Sequence, residues 1–194
     1  GPVVEAPQSV DDAFWAAAAQ PHRIARFQAM FAGRDAPEKG LGVLLRAWEA
    51  AGLGDGAAAL VLAGGGSFAA PGGVHAIGAL EPSAMRNFYA GSDVVVVPSV
   101  PTRDFLEPWG LVVNEAFDQG VPVIATTAVG AAAGGLVRHE QTGLVVEPGD
   151  AAGLAAALRR LHDDPGLRTR LGAAARDAVR AFSHDAWAAG MGRA

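Results

Sequence analysis

Short apolar runs, separated by stretches of helical periodicity, limit what this chain can become more than any other feature. The runs fall at 27–32, 59–63, 74–77, 93–97, 121–125 and 144–146. The clearest is 93–97, where Val94, Val95, Val96 and Val97 follow one another and Pro98 closes the run. Strands that are apolar at every position are covered on both faces, which is the mark of a parallel sheet. Between them Leu41, Leu44, Leu45 and Trp48 recur at helical spacing. Gly52-Leu53-Gly54 ends that helix, and Pro82 opens another that runs to Ala90. Strand and helix in alternation predict an α/β chain: a Rossmann-like parallel sheet covered by helices on both faces. An extended lead-in at 3–6, a turn at 7–12 and a short helix within 14–20 come before the first strand. Asp150 suits the N-cap of a helix over 151–162, Asp164-Pro165 begins a second to about 182, and Ser183 caps a third. No strand separates these last helices, so they are expected to pack outside the sheet or reach toward a partner. No linker or repeat divides 1–194, which reads as one domain.

Composition removes several functions. The chain has 194 residues, 51% apolar and 18% charged, enough for a filled core and too apolar for disorder. Its net charge of −5 argues against nucleic acid as the main partner. With no cysteine there is no thiol nucleophile, disulfide or thiolate zinc site. No apolar run is long enough for a transmembrane segment. Gly1-Pro2-Val3-Val4-Glu5 lacks Met, a basic start and the apolar core of a cleavable signal, and reads as the start of a piece of a longer chain. The expected compartment is the cytoplasm, including the inner face of its membrane.

Ligands of open parallel sheets bind beyond the carboxyl ends of the strands, and the unusual residues collect there. Gly33 and Arg34 follow the first run, with Lys39 opening the next helix. Gly64, Gly65 and Gly66 follow the second, Gly78 the third, 98–107 the fourth, and Thr126-Thr127 the fifth. Lys39 is the only lysine among 15 basic residues. Its compact charge differs from the planar guanidinium of the others.

The densest chemistry lies in Glu107-Pro108-Trp109-Gly110-Leu111-Val112-Val113-Asn114-Glu115. Pro108 keeps Glu107 out of helical conformation, and an apolar helix is expected to open at Gly110. Two carboxylates therefore bracket a helix N-terminus, whose free amides and dipole suit a phosphate. Arg34, Lys39 and that terminus call for a dianion such as a pyrophosphate, and the carboxylates call for hydroxyl groups. A nucleoside diphosphate sugar carries both. A plainer reading uses the same residues: Arg34 pairs with Asp35 or Glu38 in solvent, Lys39 is solvated, and Glu107 is a carboxylate stabilised by the helix dipole. Solvation suits Glu115 less, since it lies between Val113 and Ala116-Phe117 and needs a polar partner.

Other signals are weak. Gly64-Gly65-Gly66 lacks the spacing of a dinucleotide fingerprint, and no phosphate-binding Gly-Lys-Ser/Thr loop occurs. His22, His75, His139, His162 and His184 are scattered without metal-site spacing. Ser67, Ser83, Ser92 and Ser99 lack a nucleophile-elbow setting. Arg159-Arg160 and Arg168-Arg170 mark a solvated basic face.

Taken in order, these stretches resemble the C-terminal half of retaining GT-B glycosyltransferases, specifically glycosyltransferase family four. The resemblance rests on Gly33-Arg34 with Pro37-Glu38-Lys39-Gly40, on Gly64-Gly65-Gly66, on Ser92-Asp93 through Pro98-Ser99, and on Glu107 and Glu115 with seven residues between them. Gly120-Val121-Pro122, Thr142-Gly143-Leu144 with Pro148-Gly149-Asp150, and the leading Pro7-Gln8-Ser9-Val10-Asp11 complete it. The resemblance implies catalytic roles for Arg34, Lys39 and Glu107. The two cations would hold the donor diphosphate, assisted by amides at Gly110, Leu111 and Val112 beside Pro108 and Trp109. Glu107 would contact sugar hydroxyls and Glu115 the ribose. Gly33, Gly64 and Gly65 would complete the donor site, and the base would lie near Gly78, Ala79 and Leu80. It further implies a UDP-, GDP- or other nucleotide sugar as substrate, front-face transfer with retention, no cofactor and no essential metal. The chain departs from the family where Ser67 replaces a usual proline and no acidic residue separates the glycines. It also lacks the N-terminal acceptor-binding half, so alone it is expected to bind donor weakly and not turn over. A non-catalytic nucleotide-sugar binding module and another GT-B-like nucleotide-sugar enzyme remain alternatives.

Overall fold

The structure is a computed structural model that describes residues 7–54, 56–64 and 72–192. The lead-in expected at 3–6, and Gly65, Gly66 and Ser67, lie outside them. Six strands form one sheet: β1 (Phe27–Ala32), β2 (Ala58–Ala63), β3 (Val74–Gly78), β4 (Val94–Val97), β5 (Val123–Thr126) and β6 (Gly143–Val146). Every neighbouring pair is parallel, in the order β3-β2-β1-β4-β5-β6. The α/β Rossmann-like class expected from the apolar runs is what forms.

Alternate side chains of these strands feed two cores. Phe27, Ala29 and Phe31 of β1, with Leu60, Leu62, Val94 and Val96, face α2 (Leu41–Ala51) and α6 (Ala151–Asp163). Met30, Val61, Val95, Val97, Val123 and Ala125 face the other way. There they meet α3 (Pro82–Ala90), α4 (Val112–Asp118) and part of α7 (Pro165–Val179). Two of the C-terminal helices therefore cover opposite faces of the sheet. The last, α8 (His184–Met191), is mostly exposed and leaves Trp187 and Met191 in solvent. No helix among the described residues is long and apolar enough to cross a membrane.

Three local expectations change and one helix is added. The first helix, α1, is only Asp12–Trp15, because Asp11 accepts from the amide of Phe14 at 3.0 Å and starts it early. The fourth helix starts at Val112, since Gly110 adopts φ +87°. The fifth strand starts at Val123, because the Val121 amide still bonds to the Ala116 carbonyl at the helix end. A short helix, α5 (Gly130–Ala133), follows β5 in an Ala- and Gly-rich stretch that carries no amphipathic pattern.

Glycine is required where the loop after β1 meets the end of β4. A 3-10 turn, Pro37–Lys39, ends at Gly40 with φ +69°. A Cβ at Gly40 would lie 1.9 Å from the Pro98 carbonyl oxygen. The Val100 amide, donating to the Glu38 carbonyl at 2.9 Å, holds the same contact. Gly40→Ala combines a left-handed conformation with a backbone clash, so it should cost about 2–4 kcal/mol in urea denaturation. A loss within about 0.5 kcal/mol, the range of an ordinary surface change, would contradict this packing.

At the other end of the sheet, Asp118 closes α4 over a cavity of about 380 Å³ shared with Asp12, Arg176 and Arg180. Asp118 Oδ2 and Asp12 Oδ1 are buried without hydrogen-bond partners among the described residues. Burial, with Asp12 nearby, pushes the Asp118 carboxyl up to about 7, while Arg176 opposes the rise. Asp12 and Glu115 are also raised, chiefly by burial. A raised folded pKa means that the folded state holds its proton more tightly than the unfolded chain. The resulting stability is complete below the ordinary carboxyl range and disappears as pH rises through about 7. Denaturation midpoints should therefore fall between about pH 4 and 7, and Asp118→Asn should flatten that fall. An unchanged slope in the variant would exclude Asp118 as its source.

Candidate functional site

Those of the residues singled out at strand ends that the structure describes do share one rim. The β1, β2 and β3 ends are tied together there: the Gly33 amide donates to the Ala63 carbonyl at 2.9 Å, and the Gly64 amide to the Gly78 carbonyl at 2.8 Å. Gly64 has φ +137°, and a Cβ there would lie 1.9 Å from the Gly33 carbonyl oxygen. Only a bare backbone lets these ends approach so closely.

Beside them, where β1 and β4 are neighbours, opens a cleft of about 370 Å³. Phe31 and Ala32 from β1, Val96 and Val97 from β4, Pro98 and Ser99 just beyond it, Gln8, Lys39, and 107–112 line it. Its central interaction is the ion pair between Lys39 Nζ and Glu107 Oε2 at 2.5 Å. Both side chains are largely removed from solvent, with 23% and 8% exposed. Ser99 Oγ donates to the same carboxylate oxygen at 3.3 Å. The Lys39 ammonium also lies 5.8 Å from the centre of the Phe105 ring.

Glu107 is held by its backbone. It forms an isolated parallel bridge with Val129, and its carbonyl accepts from the Gly130 amide at 3.0 Å. The Ala131 amide donates to the Trp109 carbonyl at 2.9 Å. Gly130 permits the approach, since a Cβ there would lie 1.9 Å from the Pro108 carbonyl oxygen. From this ledge the chain turns through Gly110 into α4. The amides of Gly110, Leu111 and Val112 have no backbone acceptor among the described residues, as expected for a helix start. They line the cleft together with Lys39. Trp109 Nε1 donates to Asn114 Oδ1 at 2.8 Å, and Asn114 Nδ2 to the Gln8 carbonyl at 3.2 Å. Gln8, in the segment before α1, thereby becomes part of the cleft wall.

Not every candidate joins this group. Arg34 is on the same rim, but its side chain is 75% exposed and pairs with Glu38 at 3.1 Å. That is the plainer of the two arrangements its sequence allowed. Gly78 and Ala79 are exposed, Leu80 packs against the second core, and none of the three lines the cleft. Gly65 is outside the described residues. Glu115 lies in the first turn of α4, nearer its start than anticipated, because the helix begins late. Its polar partner is Tyr89 of α3, whose hydroxyl donates to Glu115 Oε2 at 2.7 Å. Burial raises the Glu115 carboxyl while the Tyr89 hydrogen bond opposes that rise. Burial, then the neighbouring carboxylate, pushes Tyr89 well above the ordinary phenol range. Among the described residues no three His, Asp or Glu side chains converge as a metal site would require.

Sequence reading gave no role to Gly130, Asn114 or Tyr89, and it took Gln8 only as part of the leading segment that carries the resemblance. A glycine opening an unpatterned helix, an amide inside an apolar helix and a tyrosine ending another carry no local signal of their partners. Ser99 was noticed only as a serine without a nucleophile's setting, and its place is beside Glu107.

The profile of the glycosyl transferases group 1 family matches residues 26–164. Lipopolysaccharide core biosynthesis glycosyltransferase LpsD of Rhizobium meliloti is 46% identical over 74 residues, which cover 38% of this chain and 21% of that protein. D-inositol 3-phosphate glycosyltransferase of Pseudarthrobacter chlorophenolicus is 43% identical over 97 residues, covering 48% of this chain and 20% of that protein. Among solved structures, sucrose-phosphate synthase from Thermosynechococcus elongatus superposes with a TM-score of 0.76 at 27% identity, over 97% of this chain and 50% of that one. Anabaena HepE in complex with UDP-glucose gives 0.71 at 23% identity, over 87% and 49%, a likeness of fold. The matches thus span about a fifth of these curated relatives and about half of these solved chains. A profile match that runs from the first strand through the sixth and on to α6 settles the family: the chain belongs to the group 1 glycosyl transferases.

Proposed function

We propose that this chain is the donor-binding half of a retaining, metal-independent glycosyltransferase of family four. It takes a sugar from a nucleoside diphosphate sugar and passes it to an acceptor held by an N-terminal half. The observation that carries the reading is the Lys39–Glu107 pair, enclosed in a cleft at the mouth of α4. A cation, three unpaired amides and a carboxylate within one cleft match a ligand that is anionic at one end and hydroxylated at the other. The HepE complex, with UDP-glucose bound to a similar fold, supports the same class of ligand.

In this reading the diphosphate enters between Lys39 and the Gly110 to Val112 turn. As the glycosidic bond breaks, negative charge grows on the departing phosphate. Lys39 and the helix mouth are already oriented toward it, so little reorganisation opposes the step. Arg34 joins by leaving Glu38. Its exposed pair is worth only about 0.2–1 kcal/mol, so exchange for a diphosphate is favourable. These cations supply the charge that a divalent ion provides in other phosphate-transfer sites. Glu107 is freed from part of its bond to Lys39 as the phosphate arrives, and accepts from sugar hydroxyls. Retention follows from attack on the face that the leaving phosphate vacates, with that phosphate taking the acceptor's proton. Glu115 receives the ribose hydroxyls, and the base lies toward 78–80.

Lys39→Ala and Arg34→Ala, made in a protein that contains both halves, should lower kcat by about 10²–10³-fold by analogy with loss of one oxyanion donor. Unchanged kinetics in both variants would remove the diphosphate clamp. The isolated chain should be stabilised against heat by UDP, GDP or ADP in proportion to ligand binding, yet transfer no sugar. Turnover at an ordinary enzymatic rate by 1–194 alone would refute the need for a second half.

A further inference from the structure

Glu115 is held on one side only. Its Oε2 accepts from the Tyr89 hydroxyl at 2.7 Å. Its other carboxylate oxygen meets no donor among the described residues and is not shut away from solvent. The place of Glu115 follows from helix geometry. Glu115 lies one turn beyond Leu111 and Val112 and stacks on their face of α4, and helical side chains lean toward the N-terminus. Leu111 and Val112 line the cleft and Glu115 does not, so Glu115 stands behind the helix wall of the cleft, one turn from its lining.

Tyr89 has the properties of a fixed support. It is fully buried near the end of α3, against Trp15 of α1, with ring centres 5.9 Å apart. A phenol so enclosed has lost its freedom to rotate, and its hydroxyl is spent on one bond. Other ionisable groups around Glu115 offer it no donor. Asp118, farther along α4, is an acid whose ionisation burial opposes, and it is influenced by Asp12 of α1 and Arg176 of α7. Without Tyr89 the carboxylate would lie in a partly buried place with no hydrogen-bond donor, where the neutral form is favoured. A neutral carboxyl turns one oxygen into a donor and leaves only a weaker, uncharged acceptor for two adjacent hydroxyls.

We infer that Tyr89 is a positioning residue for nucleotide recognition: its hydroxyl fixes Oε2 of Glu115 and turns the second oxygen toward the paired hydroxyls of a ribose. The inference rests on the proposed role of Glu115 at the ribose. It adds that the ribose preference of this site depends on a residue that touches no ligand.

The test uses the 194-residue chain and UDP against 2′,3′-dideoxy-UDP, with the GDP and ADP pairs run beside them, by calorimetric titration. Wild type should prefer the ribonucleotide, and Glu115→Gln should lose that preference. Tyr89→Phe should weaken ribonucleotide binding about tenfold, the loss of one hydrogen bond to a charged group, and leave dideoxynucleotide binding unchanged. If wild type shows no preference, or Glu115→Gln keeps it, the ribose role itself fails and the inference with it. If Glu115→Gln loses the preference and Tyr89→Phe retains it, the inference alone fails. A second readout needs no ligand: carboxyl carbon NMR of Glu115 should show its titration midpoint moving to higher pH in Tyr89→Phe. A midpoint unmoved in a folded variant would overturn the inference whatever the nucleotides do.

Discussion

Everything at this rim depends on the adjacency of β1 and β4. From β1 the chain builds outward through β2 to β3, then returns and builds the other way through β4 and β5 to β6. The connections leaving the carboxyl ends of β1 and β4 therefore diverge, and a crevice must open between them. The loop after β1 delivers Lys39, and the long connection after β4 delivers Glu107 and the start of α4. A cation and a carboxylate that are 68 positions apart meet at 2.5 Å only because two strands are neighbours in the sheet.

Backbone contacts make that meeting durable. Gly40 lies against Pro98, Gly64 against Gly33, and Gly130 against Pro108, each too close for a side chain. Thr126 Oγ1 donates to the Ser99 carbonyl at 2.6 Å and links β5 to the same connection. The site is thus built from strand ends, tight turns and a long connection that is pinned at both Pro98 and Pro108. That suits a ligand recognised by electrostatics, because preorganised donors and charges act without rearrangement. Arg34 is the least fixed of these groups, since its exposed pair with Glu38 leaves it free to respond to a ligand.

Sheet class and strand ends were legible because they follow from local pattern. Continuous apolar runs need cover on both faces, and glycines and prolines mark where they stop. Lys39 and Glu107 were legible because a lone lysine and a Glu-Pro step before an apolar helix are unusual locally. What stayed hidden depends on distant contacts. Nothing near Gly130 in the sequence tells that the Pro108 carbonyl presses on it. Nothing near Tyr89 tells that it ends beside Glu115, although a carboxylate in an apolar helix announced that some partner was needed. The late start of α4 escaped because Gly110 was read as opening the helix, whereas its left-handed φ makes it the turn before the helix. Arg34 had Asp35, Glu38 and an anion of a ligand as sequence-compatible partners, and only the side-chain geometry told Glu38 from Asp35.

The central claim is that a diphosphate is gripped between Lys39 and the turn into α4. Amide NMR of the 194-residue chain during titration with UDP, GDP or ADP tests it most directly. The account predicts that the largest shifts fall on Gly110, Leu111 and Val112 and on the loop from Gly33 to Gly40, and that they require the phosphates, since the free nucleoside leaves these amides unmoved. Shifts centred instead on the Asp12, Asp118 and Arg176 cavity, or equal shifts from the nucleoside alone, would contradict it.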